Sequence, residues 1–129
     1  MRFYVGTAFM DVHEAVEIAR AADDLGYDGI AIPEHVVNLE TLTTPYPYTS
    51  DGKPRWQPFT PWPDPWVLIG AMAAVTRQIR FVTTVTVPAL RNLYLAAKSI
   101  GTAAELAGGR VELGAGVGWC ADEFALMEQ

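Results

Sequence analysis

Short apolar segments alternate with longer amphipathic segments along most of the chain, an alternation typical of α/β proteins. Four segments are rich in β-branched or aromatic residues or are bounded by glycines, and each predicts a strand: 3–5, 29–32, 79–87 and 111–115. Three segments carry apolar residues on one helical face, and each predicts a helix: 12–25, 65–76 and 92–107. The predicted order is β-α-β-loop-α-β-α-β. It implies four parallel strands with helical crossovers, either in an open doubly wound sheet or in part of a barrel.

Residues that favour helix ends mark the boundaries of these elements. Asp11 precedes the first helical segment and has Glu14 three residues after it, as in a capping box, and Gly26 ends the segment. Asp64 followed by Pro65 is a strong signal for the start of the second helix. A short polar segment, 122–127, predicts a last helix near the end of the chain.

Residues 36–64 follow the second strand and differ from the rest of the chain. This insertion loop contains six prolines and five aromatic residues. A flexible linker would contain fewer aromatics, and a loop of this length in a compact domain is often functional. We therefore predict a lid or pocket wall in which Trp56 and Trp62 face the substrate. The alternative is a loop whose aromatic side chains only attach it to the domain surface.

Composition narrows the class of protein. The chain has 129 residues, of which 50% are hydrophobic and 19% charged, as expected for one globular domain. No apolar run reaches the roughly 18 residues that span a bilayer, and the first residues lack signal-peptide architecture. The net charge of −6, without a basic cluster, makes nucleic acid an unlikely partner. Cys120 is the single cysteine, which excludes an internal disulfide and fits a reducing cytoplasm.

Two ionisable residues directly follow the second strand. Glu34 and His35 come after Pro33, at the strand end where α/β proteins place their ligands. Histidine suits proton transfer near neutral pH, so we predict that His35 is a catalytic acid or base. Glu34 either orients His35 or contacts ligand, and a solvated carboxylate is an equal alternative. The other histidine, His13, lies too far along the chain to suggest a shared metal, and we predict none.

The glycines after the fourth strand allow the backbone to pass close to another group. Gly114, Gly116 and Gly118 do not form a good dinucleotide fingerprint, because the motif read from Gly114 requires glycine where Trp119 stands. That fingerprint also belongs to the first βα turn, and this is the fourth strand. A doubly wound sheet that binds a nucleotide is therefore the least favoured alternative.

Three stretches together resemble the luciferase-like monooxygenase superfamily, in particular its branch that depends on the deazaflavin coenzyme F-420. They run from Ala21 to His35, from Ala73 to Phe81, and from Ala104 to Trp119 with Glu123-Phe124 after it. The resemblance implies a (β/α)8 TIM barrel, a fold of about 250 residues. The chain would then be the N-terminal half of such a barrel, a partial domain over residues 1–129. It would need self-association or the missing C-terminal half to cover its open edges.

The resemblance also implies a function: hydride transfer between coenzyme F-420, or alternatively FMN, and a small organic substrate. His35 would lie near the cofactor ring. Thr84 and Thr86 would lie at the end of the third strand, where the family has a backbone irregularity, often a cis peptide, that supports the ring. Ordinary β-propensity is the alternative reading of these threonines.

The same resemblance places the glycines and Trp119 in the site. Gly114, Gly116 and Gly118 would let the ring or the substrate approach the fourth strand, and Trp119 would stack on ligand or only cap the barrel mouth. Val117 stands where some deazaflavin-dependent sugar-phosphate dehydrogenases carry a catalytic glutamate, which argues against that chemistry. The alternative function is a truncated, non-catalytic half-barrel that acts as a binding or assembly module.

Overall fold

Four strands form one parallel sheet in the order β1-β2-β3-β4. The computed structural model describes all residues from Met1 to Gln129. The strands are β1 (Tyr4–Gly6), β2 (Gly29–Ile32), β3 (Arg80–Thr83) and β4 (Val111–Glu112). The helices are α1 (Ala15–Asp24), α2 (Pro65–Ala73), α3 (Leu93–Leu106) and α4 (Ala121–Leu126), with a 3₁₀ turn at Pro88–Leu90. The predicted α/β order is confirmed, and residues 36–64 contain neither helix nor strand.

One face of the sheet packs against the first three helices. Ile30, Ile32 and Phe81 are fully buried and belong to a single core of 14 residues. Helices α1 and α3 contribute small side chains to this core, and α2 contributes mainly large ones: Ala15, Ala19 and Ala22 from α1, Trp66, Leu68, Ile69, Met72 and Ala73 from α2, and Ala103 from α3. Each large apolar side chain buried in this way contributes about 1.5–3 kcal/mol. Small residues on α1 and α3 let those helices lie close to the sheet.

The opposite face of the sheet is only partly covered. The side chains of Arg80 and Glu112 form an ion pair there and are 42% and 35% exposed. The Tyr4 ring lies over Gly29 on the neighbouring strand, where any Cβ would be 2.3 Å from a ring carbon. Arg80 is thus the partner of the Glu112 carboxylate inside β4. The strands β1 and β4 are the two edges of the sheet.

Helix boundaries follow the capping residues only in part. Asp64 caps α2 as predicted, accepting hydrogen bonds from the backbone N–H groups of Trp66 and Val67. The prediction for the start of α1 is wrong, because the helix begins at Ala15 and has no side-chain cap. The Asp11 carboxylate instead accepts a hydrogen bond from His13 N within a preceding turn.

Strands β3 and β4 are shorter than their apolar sequences predict. The hydroxyl of Thr83 both donates to the Gly114 carbonyl at 2.9 Å and accepts from Gly114 N at 3.0 Å, so a side chain replaces the backbone ladder at this point. One residue further along the chain, the peptide bond between Thr84 and Val85 is cis. Pairing resumes at one bridge between Thr86 and Ala115. The backbone irregularity that the resemblance led us to expect at this strand end is therefore present.

A buried carboxylate fastens α1 to the start of β3. Asp23 is 6% exposed and accepts hydrogen bonds from the backbone N–H groups of Arg77, Gln78 and Ile79 at 2.7–2.9 Å. Burial alone would raise the pKa of Asp23, but these N–H donors lower it below its usual value.

No helix in the structure has the length and apolar character required to span a bilayer.

Candidate active site

A cavity of about 520 Å³ lies at the carboxyl ends of the strands. Its wall combines residues that follow each of the four strands with residues from the insertion loop and from α4. Parallel strands bring their carboxyl ends to one edge of a sheet, which is why residues distant in sequence meet here. Eight of the ten residues predicted to form a site line this cavity: Glu34, His35, Trp56, Trp62, Thr84, Gly116, Gly118 and Trp119.

His35 and Glu123 form a buried pair in the wall of the cavity. His35 Nδ1 lies 2.7 Å from Glu123 Oε2, and the two side chains are 14% and 5% exposed. The other oxygen, Glu123 Oε1, accepts hydrogen bonds from the backbone N–H groups of Val36 and Val37 at 2.9 and 3.1 Å. The first turn of α4 therefore holds both the imidazole and the backbone that carries it.

These contacts determine the charge of Glu123. Burial raises the pKa of this carboxyl, but the hydrogen bonds with His35, Val37 and Val36 and the attraction of the imidazole together lower it below its ordinary value. Glu123 is therefore ionised at neutral pH. A carboxylate at this distance keeps a hydrogen on Nδ1 of His35, so Nε2 is the nitrogen left to accept or release a proton.

Glu34 does not hydrogen-bond to His35. Its Oε2 accepts a hydrogen bond from Arg91 Nη2 at 2.8 Å, and its side chain is 2% exposed. Burial raises the pKa of Glu34, and the Arg91 charge opposes that effect without cancelling it. Glu34 Oε1 is buried without a hydrogen-bond partner. Of the two carboxylates near the imidazole, the distant Glu123 and not the adjacent Glu34 orients His35.

Three tryptophan rings contact the imidazole of His35, and two further rings pack against those tryptophans. We call the five rings the aromatic cage: Phe9, Tyr46, Trp56, Trp62 and Trp119. The imidazole lies 4.9 Å from the Trp62 ring, 5.4 Å from Trp56 and 5.7 Å from Trp119. Most of these rings meet edge to face, the favoured geometry for aromatic pairs. The insertion loop therefore folds over the strand ends and places two tryptophans beside the histidine.

Asp122, next to Glu123, attaches the insertion loop to α4. Its carboxylate accepts hydrogen bonds from the N–H and the hydroxyl of Thr43 and from the N–H of Thr44, at 2.5–2.8 Å. The Thr43 hydroxyl, together with the other donors, lowers the pKa of Asp122 to about 2. Two consecutive carboxylates thus hold the loop at residues 35–37 and at residues 43–44.

The two predicted threonines differ in their access to the cavity. Thr84 lines it, whereas Thr86 is 1% exposed and lies behind the wall. The backbone of Thr86 pairs with Gly114 and Gly116 at 2.8 Å, and its hydroxyl has no hydrogen-bond partner. Thr86 therefore shapes the wall rather than forming its surface.

The glycines after β4 are required by contacts within the protein. A Cβ at Gly114 would lie 1.9 Å from the Thr83 carbonyl oxygen, and one at Gly116 would lie 2.4 Å from a Val85 methyl carbon. Gly118 has φ = +80°, which only glycine adopts readily. Gly116 and Gly118 line the cavity, while Gly114 does not. Close packing of the two strand ends explains these glycines, and contact with a cofactor there stays a prediction.

Sequence reasoning did not identify Glu123 as part of the site. Glu123 lies 88 residues from His35, and no local spacing links an acidic residue in the first turn of a short helix to a histidine after β2. The only signal is a pair of consecutive carboxylates, Asp122 and Glu123, at the start of a predicted helix.

No group of three or more histidine, cysteine or acidic side chains is arranged to hold a metal ion.

Residues 3–129 match the family model described as luciferase-like monooxygenase. Two uncharacterised proteins of Mycobacterium tuberculosis are similar in sequence. One is 34% identical over 98% of this chain and 44% of its own length, and the other is 37% identical over 82% of this chain and 38% of its own length. The chain thus spans less than half the length of these relatives.

Solved structures share the fold at lower identity. A monooxygenase from Streptomyces bottropensis has a TM-score of 0.74 and 23% identity, and the match covers 99% of this chain and 36% of that one. The oxygenating constituent of a diketocamphane monooxygenase from Pseudomonas putida, in complex with FMN, has a TM-score of 0.75 and 22% identity over 98% and 32% of the two chains. A coenzyme F-420 dependent tetrahydromethanopterin reductase from Methanopyrus kandleri has a TM-score of 0.67 and 19% identity over 98% and 30%.

Proposed function

The chain belongs to the luciferase-like monooxygenase family, and on this basis we propose that it forms part of an oxidoreductase that uses a flavin-type cofactor to act on a small organic substrate. Coenzyme F-420 is our first choice and FMN the second. The observation that carries the proposal is the buried His35–Glu123 pair inside a cavity at the carboxyl ends of the strands. The structural relatives that use FMN or coenzyme F-420 make both cofactors reasonable candidates.

The cavity wall suits the ring of such a cofactor better than its phosphate-bearing tail. The wall is mainly apolar and aromatic, which fits a flat ring system, and it contains neither lysine nor arginine to hold a phosphate. Thr84, Gly116 and Gly118 would contact the ring, while Thr86 and Gly114 would support the wall from behind. When bound, the cofactor supplies the hydride-transfer or oxygen chemistry, and the protein supplies orientation and electrostatics.

In this proposal His35 moves the proton that accompanies the redox step. Glu123 holds Nδ1–H, so His35 Nε2 takes a proton from a substrate hydroxyl during oxidation or returns one to a carbonyl oxygen during reduction. The carboxylate stabilises the imidazolium form that results. Glu34 has a supporting role, because its contact with Arg91 fixes the backbone that leads into His35. The aromatic cage limits access of water to the imidazole.

A non-catalytic binding or assembly module is the second candidate. It is favoured by the two free sheet edges and by the half-exposed Arg80–Glu112 pair on the partly covered face of the sheet. Because the family resemblance places the contacts to the cofactor tail on later strands, we expect these 129 residues alone to show little oxidoreductase activity.

Separate titrations of the purified chain with coenzyme F-420 and with FMN, combined with mass determination in solution, test these candidates. The oxidoreductase proposal predicts weak binding of at least one cofactor, with loss of affinity in Trp119→Ala. Failure of both cofactors to bind, together with a stable dimer, would favour the assembly module. Tight binding by a monomer would contradict the idea that this chain contacts only the ring.

A further inference from the structure

We propose that the cavity beside His35 selects an uncharged, flat aromatic or similarly apolar substrate and discriminates against carboxylates. This inference deepens the proposed function by assigning a substrate class to the same site. Its test is a binding measurement that requires neither cofactor nor turnover.

The wall of the cavity is apolar on most of its surface. Fourteen of its 21 residues are hydrophobic, and five rings of the insertion loop and the β4 end line it: Tyr46, Tyr48, Trp56, Trp62 and Trp119. Large aromatic side chains of this kind bury flat apolar ligands well, with few conformational changes. The shape and chemistry of the wall therefore favour an apolar ring over a flexible polar chain.

Both carboxylates in the wall form hydrogen bonds within the protein, and one of their oxygens, Glu34 Oε1, is buried without a partner. The carboxylate of Glu123 accepts three hydrogen bonds, one from His35 and two from backbone N–H groups. The carboxylate of Glu34 is paired with Arg91, which itself lies outside the cavity wall. An anionic ligand would meet two carboxylates in the wall and no free lysine or arginine to offset its charge.

Burial of the ionisable groups in this wall disfavours their negatively charged forms, and direct hydrogen bonds reverse that effect at Glu123. Burial raises the pKa of the Glu34 carboxyl and also raises the pKa of the Cys120 thiol. Both groups are thus shifted toward their neutral forms by loss of contact with water. A ligand carboxylate that enters the cavity would lose its water in the same way, so its uncharged analogue should bind more tightly.

Two ligands that share one naphthalene ring and differ in charge test the proposal: naphthylmethanol and naphthoate. Calorimetric titration of the purified chain at neutral pH should show naphthylmethanol binding about tenfold or more tightly than naphthoate. Trp56→Ala should weaken naphthylmethanol about fivefold or more. Tyr94→Ala, which removes an aromatic ring 88% exposed on α3, is the control and should have no effect.

A second variant keeps the test independent of the stability of the cage. Val117 lines the cavity and is 89% exposed, so a longer side chain there should be tolerated. Val117→Lys should raise the affinity for naphthoate about tenfold, and Val117→Gln should not. Equal or tighter binding of naphthoate by the unmodified chain would overturn the proposal, as would no binding of either ligand by folded protein. Selectivity for naphthylmethanol without binding of any cofactor would support the substrate class and refute the proposed function.

Discussion

Replacing Glu123 by glutamine should weaken the fold and disturb the site at once. The variant Glu123→Gln keeps the size of the side chain and removes its charge. The carboxylate accepts hydrogen bonds from three N–H groups, at 2.7 Å from His35 Nδ1 and at 2.9 and 3.1 Å from the backbone of Val36 and Val37. The amide oxygen can keep the two backbone hydrogen bonds, and its NH2 group then faces His35 Nδ1, which accepts a hydrogen bond only when the imidazole hydrogen lies on Nε2. The charge-assisted hydrogen bond from Nδ1–H is lost in either tautomer.

The magnitude follows from the type of hydrogen bond that is lost. A hydrogen bond to a charged group contributes about 1.5–3 kcal/mol, and an unpaired buried donor adds to the cost. We expect Glu123→Gln to lower the free energy of unfolding by about 2–3 kcal/mol at neutral pH. Urea unfolding, followed by the fluorescence of the three cage tryptophans, measures this difference.

Acid should reduce the difference between the two proteins. The pKa of Glu123 is lower in the folded protein than its ordinary value of 4.5. The stability that this carboxylate contributes is therefore complete well above pH 4.5 and is lost as the pH falls through its folded value. Other carboxylates titrate in both proteins, so their effects cancel in the comparison.

The control for this prediction is Glu105→Gln. Glu105 is exposed on α3 and forms no ion pair, so its replacement should change stability by less than about 0.5 kcal/mol at any pH. Equal stability of Glu123→Gln and the unmodified chain at neutral pH would refute the reasoning. A difference that stays constant into acid would show that shape, and not the charge of the carboxylate, is what matters.

Three further predictions concern the frame of the site. Asp23→Ala leaves three backbone N–H donors without an acceptor and should lower the free energy of unfolding in urea by about 3 kcal/mol. The control Asp24→Ala, at the exposed neighbouring position, should lower it by less than about 0.5 kcal/mol. Equal effects of the two variants would contradict this explanation of Asp23. Gly114→Ala places a Cβ 1.9 Å from a carbonyl oxygen of the neighbouring strand and should destabilise the fold by about 3 kcal/mol or more. Gly101→Ala has open space around it in α3 and should stabilise the fold by about 0.5–1 kcal/mol. Thermal melting that ranks the two variants otherwise would refute the strand-packing explanation. Asp122→Ala releases the insertion loop at residues 43–44, so trypsin should cleave after Arg55 faster than in the unmodified chain. An unchanged rate would show that the loop does not depend on this anchor.

Features encoded by local sequence were predictable. The spacing of apolar residues identified every strand and the order of the helices, because the sheet and its covering helices depend on which residues must be buried. Residues directly after the strands, such as His35 and Thr84, were placed correctly at the cavity because parallel strands share a carboxyl edge. The Asp64-Pro65 cap also depends only on neighbouring backbone.

Features that depend on contacts between distant segments were not predictable. The Thr83 hydroxyl takes over the pairing of β3 with β4, so both strands end earlier than their apolar runs. Asp11 hydrogen-bonds within a turn and does not start α1. Glu123 becomes part of the site only because α4 packs against the loop after β2, and no pattern within either segment contains that information.

The central claim is that the cavity beside His35 binds the ring of a flavin-type cofactor and not its phosphate-bearing tail. Titration of the purified chain with lumiflavin, which has the flavin ring without the tail, and with FMN tests it most directly, with quenching of tryptophan fluorescence as the readout. The account predicts that both bind with affinities within about threefold of each other, because the wall contains no lysine or arginine for a phosphate. Binding of FMN that is far tighter than that of lumiflavin, or no binding of lumiflavin by the folded chain, would contradict it.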